Sequence, residues 1–130
     1  MESSKDYFFI KSNSKLIKIN YNEILYIEAI GDYVKIYLEN SLNKPIVVLD
    51  SLKRLEKTLP GDLFKRIHRS YIVALPRIKA IEYKRVIFGD ALSLPVSNSY
   101  YQALYERLVS NHMEPDQVIP IKKAKKKPNP

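Results

Sequence analysis

Short runs in which apolar and polar residues alternate, separated by turn-forming residues, make up most of the chain. The clearest run is Tyr33 to Leu38, where every second residue is aliphatic and would lie on one face of a strand. The opposite face of that strand would carry Tyr33, Lys35 and Tyr37. Comparable runs predict further strands at Tyr7–Lys11, Leu16–Asn20, Glu23–Ile30, Pro45–Leu49, Phe64–Val73, Arg77–Tyr83, Arg85–Phe88 and Ala91–Val96.

Two stretches change to helical periodicity. The first follows a capping residue, Asp50 or Ser51, and the second follows Ser97 or Asn98 and continues to about Val109. Their apolar stripes are Leu52, Leu55 and Leu59 in the first, and Tyr101, Leu104, Tyr105 and Leu108 in the second. Together the elements predict a mainly β fold: compact antiparallel sheets of about seven to ten short strands, with a short middle helix and a C-terminal helix.

Polar segments at both ends of the chain bound a single folded domain. We expect a disordered N-terminus at residues 1–6, the domain at 7–112 and a disordered basic tail at 113–130. The formal net charge is +8, but residues 122–130 hold five lysines and no acid, which leaves 17 basic against 14 acidic residues, or +3, in residues 1–121. A nucleic-acid surface on the domain would therefore come from clustered cations. The tail lysines could neutralise phosphates of a nearby duplex or serve solubility alone.

The composition argues against several classes of protein. Because the chain has no cysteine, disulfides and thiolate metal sites are excluded. With no membrane-length apolar run and no targeting pattern, we expect a cytoplasmic protein with no membrane partner. Three glycines form no phosphate-binding loop, and His68 and His112 are too far apart to indicate a metal site, so no cofactor and no metal are expected. Ser70 beside His68 could share a strand face without forming an active site, so an enzyme is disfavoured.

One segment concentrates cations between apolar residues: FKRIHRSYIVA, Phe64 to Ala74. In it Lys65, Arg66, His68 and Arg69 are interleaved with core-type side chains, which predicts a cationic rim pointing away from a rigid scaffold. Arg66 could also be no more than a solvated surface charge. This segment limits the range of possible functions more than any other stretch of the chain.

Three motifs in order resemble the LytTR family of bacterial DNA-binding domains. They are ILYIEAIGDYVKIYL (Ile24–Leu38), FKRIHRSYIVA (Phe64–Ala74) and LPVSNSYYQAL (Leu94–Leu104). The resemblance covers about residues 7–109. It implies a compact all-β arrangement of antiparallel sheets with a short helix, usually found at the C-terminus of two-component response regulators. It also implies that loops, rather than a recognition helix, enter successive major grooves.

The resemblance implies three DNA-contact regions. The residues that match them are Gly31, Asp32, Tyr33 and Lys35 in the first, His68 and Arg69 in the second, and Ser97, Asn98 and Ser99 in the third. Many members of the family carry arginine or lysine in the third region, where this chain has Ser97–Ser99. Contacts there are therefore expected to be weaker or to read different bases.

The side-chain chemistry of these regions suits DNA. Arg69 can donate two parallel hydrogen bonds to guanine or grip a phosphate, and Asn98 can pair with both the donor and the acceptor of adenine. His68 can donate from a ring nitrogen to a base or a phosphate. At a helix start, the backbone N–H groups of Ser97 and Asn98 also favour a phosphate.

Each candidate also has a purely structural interpretation. His68 could sit at the core edge bonded to a carbonyl, and Arg69 could pair with an acid such as Asp90. The loop 97–99 could only cap the helix, and Tyr33 could only cover the sheet.

These observations predict a sequence-specific double-stranded DNA-binding domain that regulates transcription. We expect promoter direct repeats as the partner, a protein that is monomeric alone and paired on DNA, and a receiver domain in the full-length protein unless the regulator stands alone. The alternative is a β-rich protein- or RNA-binding module without DNA specificity. Salt-insensitive binding, or a preference for single strands, would favour that alternative.

Overall fold

Ten strands and two α-helices form within residues 6–89 and 92–112, the part of the chain that the computed structural model describes, with residues 111 and 112 described as backbone only. The strands are β1 Tyr7–Ser12, β2 Lys15–Asn20, β3 Ile24–Ile30, β4 Tyr33–Leu38, β5 Ile46–Leu49, β6 Phe64–His68, β7 Tyr71–Ala74, β8 Ala80–Ile81, β9 Arg85–Ile87 and β10 Ser93–Pro95. The helices are α1 Leu52–Thr58 and α2 Asn98–His112, and 3-10 turns occupy Tyr21–Glu23 and Leu75–Arg77. The predicted mainly β fold with a short middle helix and a C-terminal helix is confirmed.

Several predictions fall outside the described residues. These are the disordered N-terminus apart from Asp6, the basic tail at 113–130, and Asp90, the acid considered as a partner for Arg69. The carbonyl of Asp6 accepts a hydrogen bond of 2.8 Å from the N–H of Tyr21. The two predicted disordered segments therefore stay predictions.

The centre of the fold is a five-stranded antiparallel sheet in the order β5-β4-β3-β7-β6. Two hairpins, β3–β4 and β6–β7, lie side by side in this sheet because β3 pairs with β7, with Ile27 opposite Ile72. Antiparallel pairing brings the end of β3 beside the start of β7. The turns of both hairpins therefore emerge at the same end of the sheet, which we call the turn end.

Both faces of this sheet are covered, which explains why the neighbouring residues Tyr26 and Ile27 are both buried. The β1–β2 hairpin and α1 pack on one face, over a core that includes Ile10, Ile19, Ile27, Ile36, Leu52, Leu55 and Ile72. A three-stranded sheet in the order β10-β9-β8 packs with α2 on the other face, over Tyr26, Ile67, Val73, Val86, Phe88, Leu94 and Leu104. Two cores thus hold the central sheet rigid from both sides.

Helix α1 begins as its sequence predicts. The Oγ of Ser51 accepts a hydrogen bond of 3.1 Å from the N–H of Arg54, and the three predicted leucines are buried. The carboxylate of Asp50 accepts 2.8 and 2.7 Å bonds from Nε and Nη2 of Arg54. This guanidinium holds the pKa of Asp50 below its usual value.

Helix α2 runs beside the edge strand β6. The N–H of Ser97 donates a 3.0 Å hydrogen bond to the carbonyl of Ile67 at the turn end, and the guanidinium of Arg107 bonds the carbonyl of Gly61 towards the opposite end. Leu104 is fully buried, and the other three residues of the predicted stripe are half-buried. The helix start is therefore fixed next to the end of β6.

The prediction of one extended segment over Phe64–Val73 is wrong. The chain turns back at Arg69 and Ser70, so that β6 and β7 form a hairpin with Phe64 opposite Ala74. The strong turn signals glycine, proline, asparagine and aspartate are missing at this position, where Ser70 is the one weak turn residue. Side-chain contacts hold the turn instead.

The extended segment predicted over Arg77–Tyr83 is also wrong in most of its length. Its first residue ends a 3-10 turn, β8 is only two residues long, and Tyr83 and Lys84 make a sharp turn into β9. The N–H and carbonyl groups of Glu82 and Arg85 bond each other across this turn, at 2.9 and 3.1 Å. Tyr83 and Lys84 have φ of +45° and +62°, left-handed values that their residue types rarely adopt.

Candidate nucleic-acid interface

The first predicted contact region is the β3–β4 turn. Gly31 and Asp32 form a two-residue connection between the paired residues Ile30 and Tyr33. Gly31 has φ of +57°, a conformation that suits glycine. Asp32 and Tyr33 are exposed, whereas Lys35 is half-buried two residues further into β4. This turn therefore presents a carboxylate and a phenol, with its cation set back.

The second region is the β6–β7 turn, where Arg69 is exposed at the tip and His68 is half-buried. The Nδ1 of His68 accepts a hydrogen bond of 3.0 Å from the N–H of Ser70, and the imidazole ring lies 5.3 Å from the ring of Tyr71. Because Nδ1 accepts, the neutral ring carries its proton on Nε2. Nε2 is then the nitrogen able to donate to an acceptor outside the domain. The partner of Nδ1 is a backbone N–H rather than the carbonyl considered from the sequence.

Arg66 supports this turn from the protein side. Its Nη2 donates a 2.8 Å hydrogen bond to the carbonyl of Arg69, and its Nε donates a 3.3 Å bond to the carbonyl of His68. Its Nη1 lies 3.5 Å from the carboxylate of Glu56 on α1, and only 19% of the side chain is exposed. The interpretation of Arg66 as a solvated surface charge is therefore wrong. Sequence reasoning missed this role because no motif marks an arginine that bonds carbonyls two and three residues ahead.

The third region lies directly before and at the start of α2. Ser97 is tied to β6 through its N–H, while Asn98 and Ser99 are exposed. The ammonium of Lys84 on the β8–β9 turn donates a 2.5 Å hydrogen bond to Oδ1 of Asn98. The N–H of Val96 also donates to the carbonyl of Lys84, at 2.8 Å. A lysine from a different element therefore stands where the loop itself has none.

The structure brings all three regions to the turn end of the central sheet. The N–H of Ala29 donates a 2.9 Å hydrogen bond to the carbonyl of Ser70, which joins the first two turns. The bond from Ser97 to Ile67, one residue before His68, joins the second turn to the third region. Within the predicted set, only Lys35 is set back from this row.

The row extends at both ends beyond the predicted residues. Tyr83 and Lys84 continue it past Asn98. On the other side a groove runs from the β3–β4 turn to the start of α1, lined by Asp32, Tyr33, Ser51, Lys53 and Arg66 among others. Exposed cations therefore stand along the row at Lys84, Arg69 and Lys53, and the exposed acids Asp32 and Glu82 flank them.

Behind Lys35 lies a cluster of tyrosines. The hydroxyl of Tyr37 donates a 3.1 Å hydrogen bond to Glu28, and its ring stacks on Tyr26 with 4.4 Å between the ring centres. Burial raises the pKa of Tyr26 well above its usual value, and the Tyr37 and Glu28 charges add to the effect. The pKa values of Tyr37 and Tyr71 are also raised, mainly by burial. These rings lie on the same face of the central sheet as Lys35.

Two further features concern the described residues as a whole. Across 6–89 and 92–112, no helix has the length and apolar character needed to cross a membrane. Among the side chains described, those of residues 6–89 and 92–110, no cluster of three or more histidine, aspartate or glutamate residues is placed to hold a metal ion.

Comparison with known proteins gives the same family as the three motifs. The family model described as LytTr DNA-binding domain matches residues 14–109. The chain is 33% identical over 114 residues to the sensory transduction protein LytT of Oceanobacillus iheyensis, covering 82% of this chain and 46% of that protein. It is 28% identical over 98 residues to LytT of Bacillus cereus, covering 72% of this chain and 39% of that protein. The chain thus spans less than half the length of these curated relatives.

A solved structure shows the same fold. It is the LytTr DNA-binding domain of a Bacillus cereus protein described as a methyl-accepting/DNA response regulator, and it superposes with a TM-score of 0.66 at 27% sequence identity. The match covers 81% of this chain and 98% of that domain. Nearly the whole of that domain therefore shares the fold of this chain.

Proposed function

The chain belongs to the LytTR family of DNA-binding domains, and from that premise we propose that it binds specific double-stranded DNA sites as the output domain of a bacterial response regulator. Transcription would be the process it regulates, and the cytoplasm, where bacterial DNA lies, its place of action. The two LytT relatives bear the name sensory transduction protein, which supports a receiver domain as its covalent partner. The function is one of binding and involves no chemical step.

The observation that carries this proposal is the meeting of three separate motif regions at one end of one sheet. The tips of two adjacent hairpins and the start of α2 meet there, where Asp32, Arg69 and Asn98 are exposed and His68 is half-buried. A row of protruding turns on a rigid sheet can follow a groove of the duplex. The fold thus supports loops entering successive major grooves, as the family resemblance implies.

The contacts divide by chemistry. Arg69, exposed at a tip, can bond guanine O6 and N7, and Nε2 of His68 can donate to a neighbouring acceptor. Asp32 can accept from the exocyclic amine of cytosine, while its charge disfavours nearby phosphates. Cations along the row would fix the register on the phosphate backbone. Two copies on promoter direct repeats would double the number of base pairs read.

The test begins with selection of bound duplexes from a random pool, followed by affinity measurements at several salt concentrations. Arg69→Ala is expected to weaken binding to the selected site by about 1–3 kcal/mol and to relax the preference at one base pair. Lys44→Ala is the matched control, because Lys44 is an exposed cation in the β4–β5 connection at the opposite end of the sheet. Unchanged affinity in Arg69→Ala would remove Arg69 from the interface.

Other outcomes would refute the proposal as a whole. A chain that prefers no duplex over random DNA is not a sequence-specific regulator. A preference for single strands, or binding that salt does not weaken, would favour the RNA- or protein-binding alternative.

A further inference from the structure

The β8–β9 turn, Tyr83 and Lys84, has features that the packing of the domain does not explain. Tyr83 is 88% exposed, and both residues have left-handed backbone conformations. A two-residue turn with two positive φ values normally takes asparagine and glycine. A bulky aromatic residue there strains the backbone without gaining burial. Strain of this kind in an exposed turn points to a role outside the domain.

The position of the turn indicates what that role is. The carbonyl of Lys84 accepts a hydrogen bond from Val96, and its ammonium reaches Asn98. The turn therefore stands beside the third contact region, at the turn end of the central sheet. Lys84 thereby joins the row that contains Arg69, and the exposed Tyr83 is its neighbour in the turn.

The bond between Lys84 and Asn98 also fixes what this pair can recognise. A lysine ammonium only donates, so Asn98 must face it with the amide oxygen. The amide nitrogen of Asn98 and the remaining ammonium hydrogens are all donors. Adenine needs an acceptor as well as a donor from asparagine, because its major-groove edge presents both. A donor-only pair instead matches groups that only accept, and the charge of the ammonium favours acceptors that are negative, such as phosphate oxygens, over the neutral O6 and N7 of guanine.

We propose that Tyr83, Lys84 and Asn98 form a phosphate-binding unit on the DNA surface, in which Lys84 supplies the cation that the loop Ser97–Ser99 lacks. This inference rests on the proposed function and adds a fourth contact element to it. The hydroxyl of Tyr83 and the ammonium of Lys84 bind backbone oxygens next to the groove that Arg69 enters. Asn98 then acts as a phosphate ligand and holder of Lys84 rather than as a reader of adenine.

The test replaces Tyr83 and Lys84 by the residue types that are normally found in a turn with two positive φ values. The double variant Tyr83→Asn/Lys84→Gly keeps the left-handed turn and relieves its strain, so the thermal midpoint is expected to stay the same or rise. DNA binding is expected to fall about five-fold near physiological salt. The slope of log affinity against log salt is expected to shrink by about 0.9, the value for one phosphate contact.

Single replacements and a control separate the contributions. Lys84→Gln should account for the change in salt slope, and Tyr83→Asn should lower affinity with the slope nearly unchanged. Lys79→Ala is the matched control, since Lys79 is an exposed lysine at the other end of the same hairpin. It should leave both affinity and slope close to those of the unmodified chain.

Two results would overturn the inference while leaving the proposed function intact. One is a folded double variant that binds the selected duplex with unchanged affinity and slope. The other is an affinity loss confined to duplexes with a particular guanine, which would make the unit a base reader rather than a phosphate ligand. Failure of the unmodified chain to select any duplex would instead refute the proposed function itself.

Discussion

Arg66 and Arg69 lie three residues apart, yet the guanidinium group of Arg66 is bonded to the protein and the side chain of Arg69 is exposed. Arg66 bonds the carbonyls of His68 and Arg69 and lies near Glu56, whereas Arg69 is exposed. The first arginine shapes the turn, and the second is the group that the turn presents. A sequence pattern shows both as cations between core residues, because it records charge and spacing but not the direction of each side chain. Both arginines could therefore be identified from the sequence as candidate contact residues, but the different role of each could not.

The structural role of Arg66 predicts how the variant Arg66→Gln differs in stability and in DNA binding. The variant should lose about 1–3 kcal/mol of unfolding free energy, because two turn carbonyls lose a charged donor. DNA affinity should fall as the turn loosens, but the salt slope should stay constant, because this guanidinium bonds protein carbonyls rather than phosphates. Chemical denaturation and salt-dependent binding would measure the two effects. Lys65→Gln on the same strand removes the same charge and should change stability little; a smaller salt slope in Arg66→Gln would instead show a direct phosphate contact.

The turns between strands fall into two groups: those whose residue types are typical of turns, and those whose residue types are not. The β3–β4 turn was predictable from Gly31-Asp32, and the sequence also identified α1, α2 and the alternation in β4. The β6–β7 and β8–β9 turns were missed because Arg69-Ser70 and Tyr83-Lys84 are not turn-forming pairs. Both missed turns lie in the proposed interface. Side chains selected for contact with DNA would account for residues that local propensity disfavours.

The β3–β4 turn allows a test of backbone geometry alone. Gly31→Ala should lower the free energy of unfolding by about 1–2 kcal/mol, because alanine is strained at φ of +57° even though no described atom beyond the adjacent residues lies within 4 Å of the added Cβ. Gly31→Asn should cost less, since asparagine tolerates left-handed conformations. Thermal or urea unfolding would measure both. Gly61→Ala is the control, because its φ lies outside the left-handed region; equal losses at both positions would show that strain is not the cause.

Across the whole molecule, the two cores hold the central sheet from both faces and leave its turn end to present the contact groups. This arrangement of sheets and helices in layers could be predicted from the sequence only in part. Alternation identified the strands, but the pairing of β3 with β7 joins residues more than 40 positions apart and left no local signal. That one pairing is what places the first two contact regions side by side.

One buried tyrosine and two half-buried ones make the stability of the domain fall at alkaline pH. Because burial raises the pKa of Tyr26, Tyr37 and Tyr71 in the folded state, the folded chain keeps phenol protons that the unfolded chain loses above about pH 10. Stability should be unaffected by these groups below that pH and should fall as pH rises towards their folded pKa values. Phenolate absorbance and circular dichroism measured together should show part of the ionisation coinciding with unfolding. Ionisation of all ten tyrosines near pH 10 with the fold intact would contradict this.

The β1–β2 hairpin has a practical consequence for anyone preparing this domain. The family match starts at residue 14, after β1, yet all six residues of β1 pair with β2 and Ile10 is buried. Ser12 also bonds the carbonyl of Val47 on the edge strand β5, at 3.0 Å. A recombinant fragment trimmed to the match would expose a strand edge and an apolar surface, both of which promote aggregation. Fragments intended for crystallisation or binding measurements should therefore begin before Tyr7.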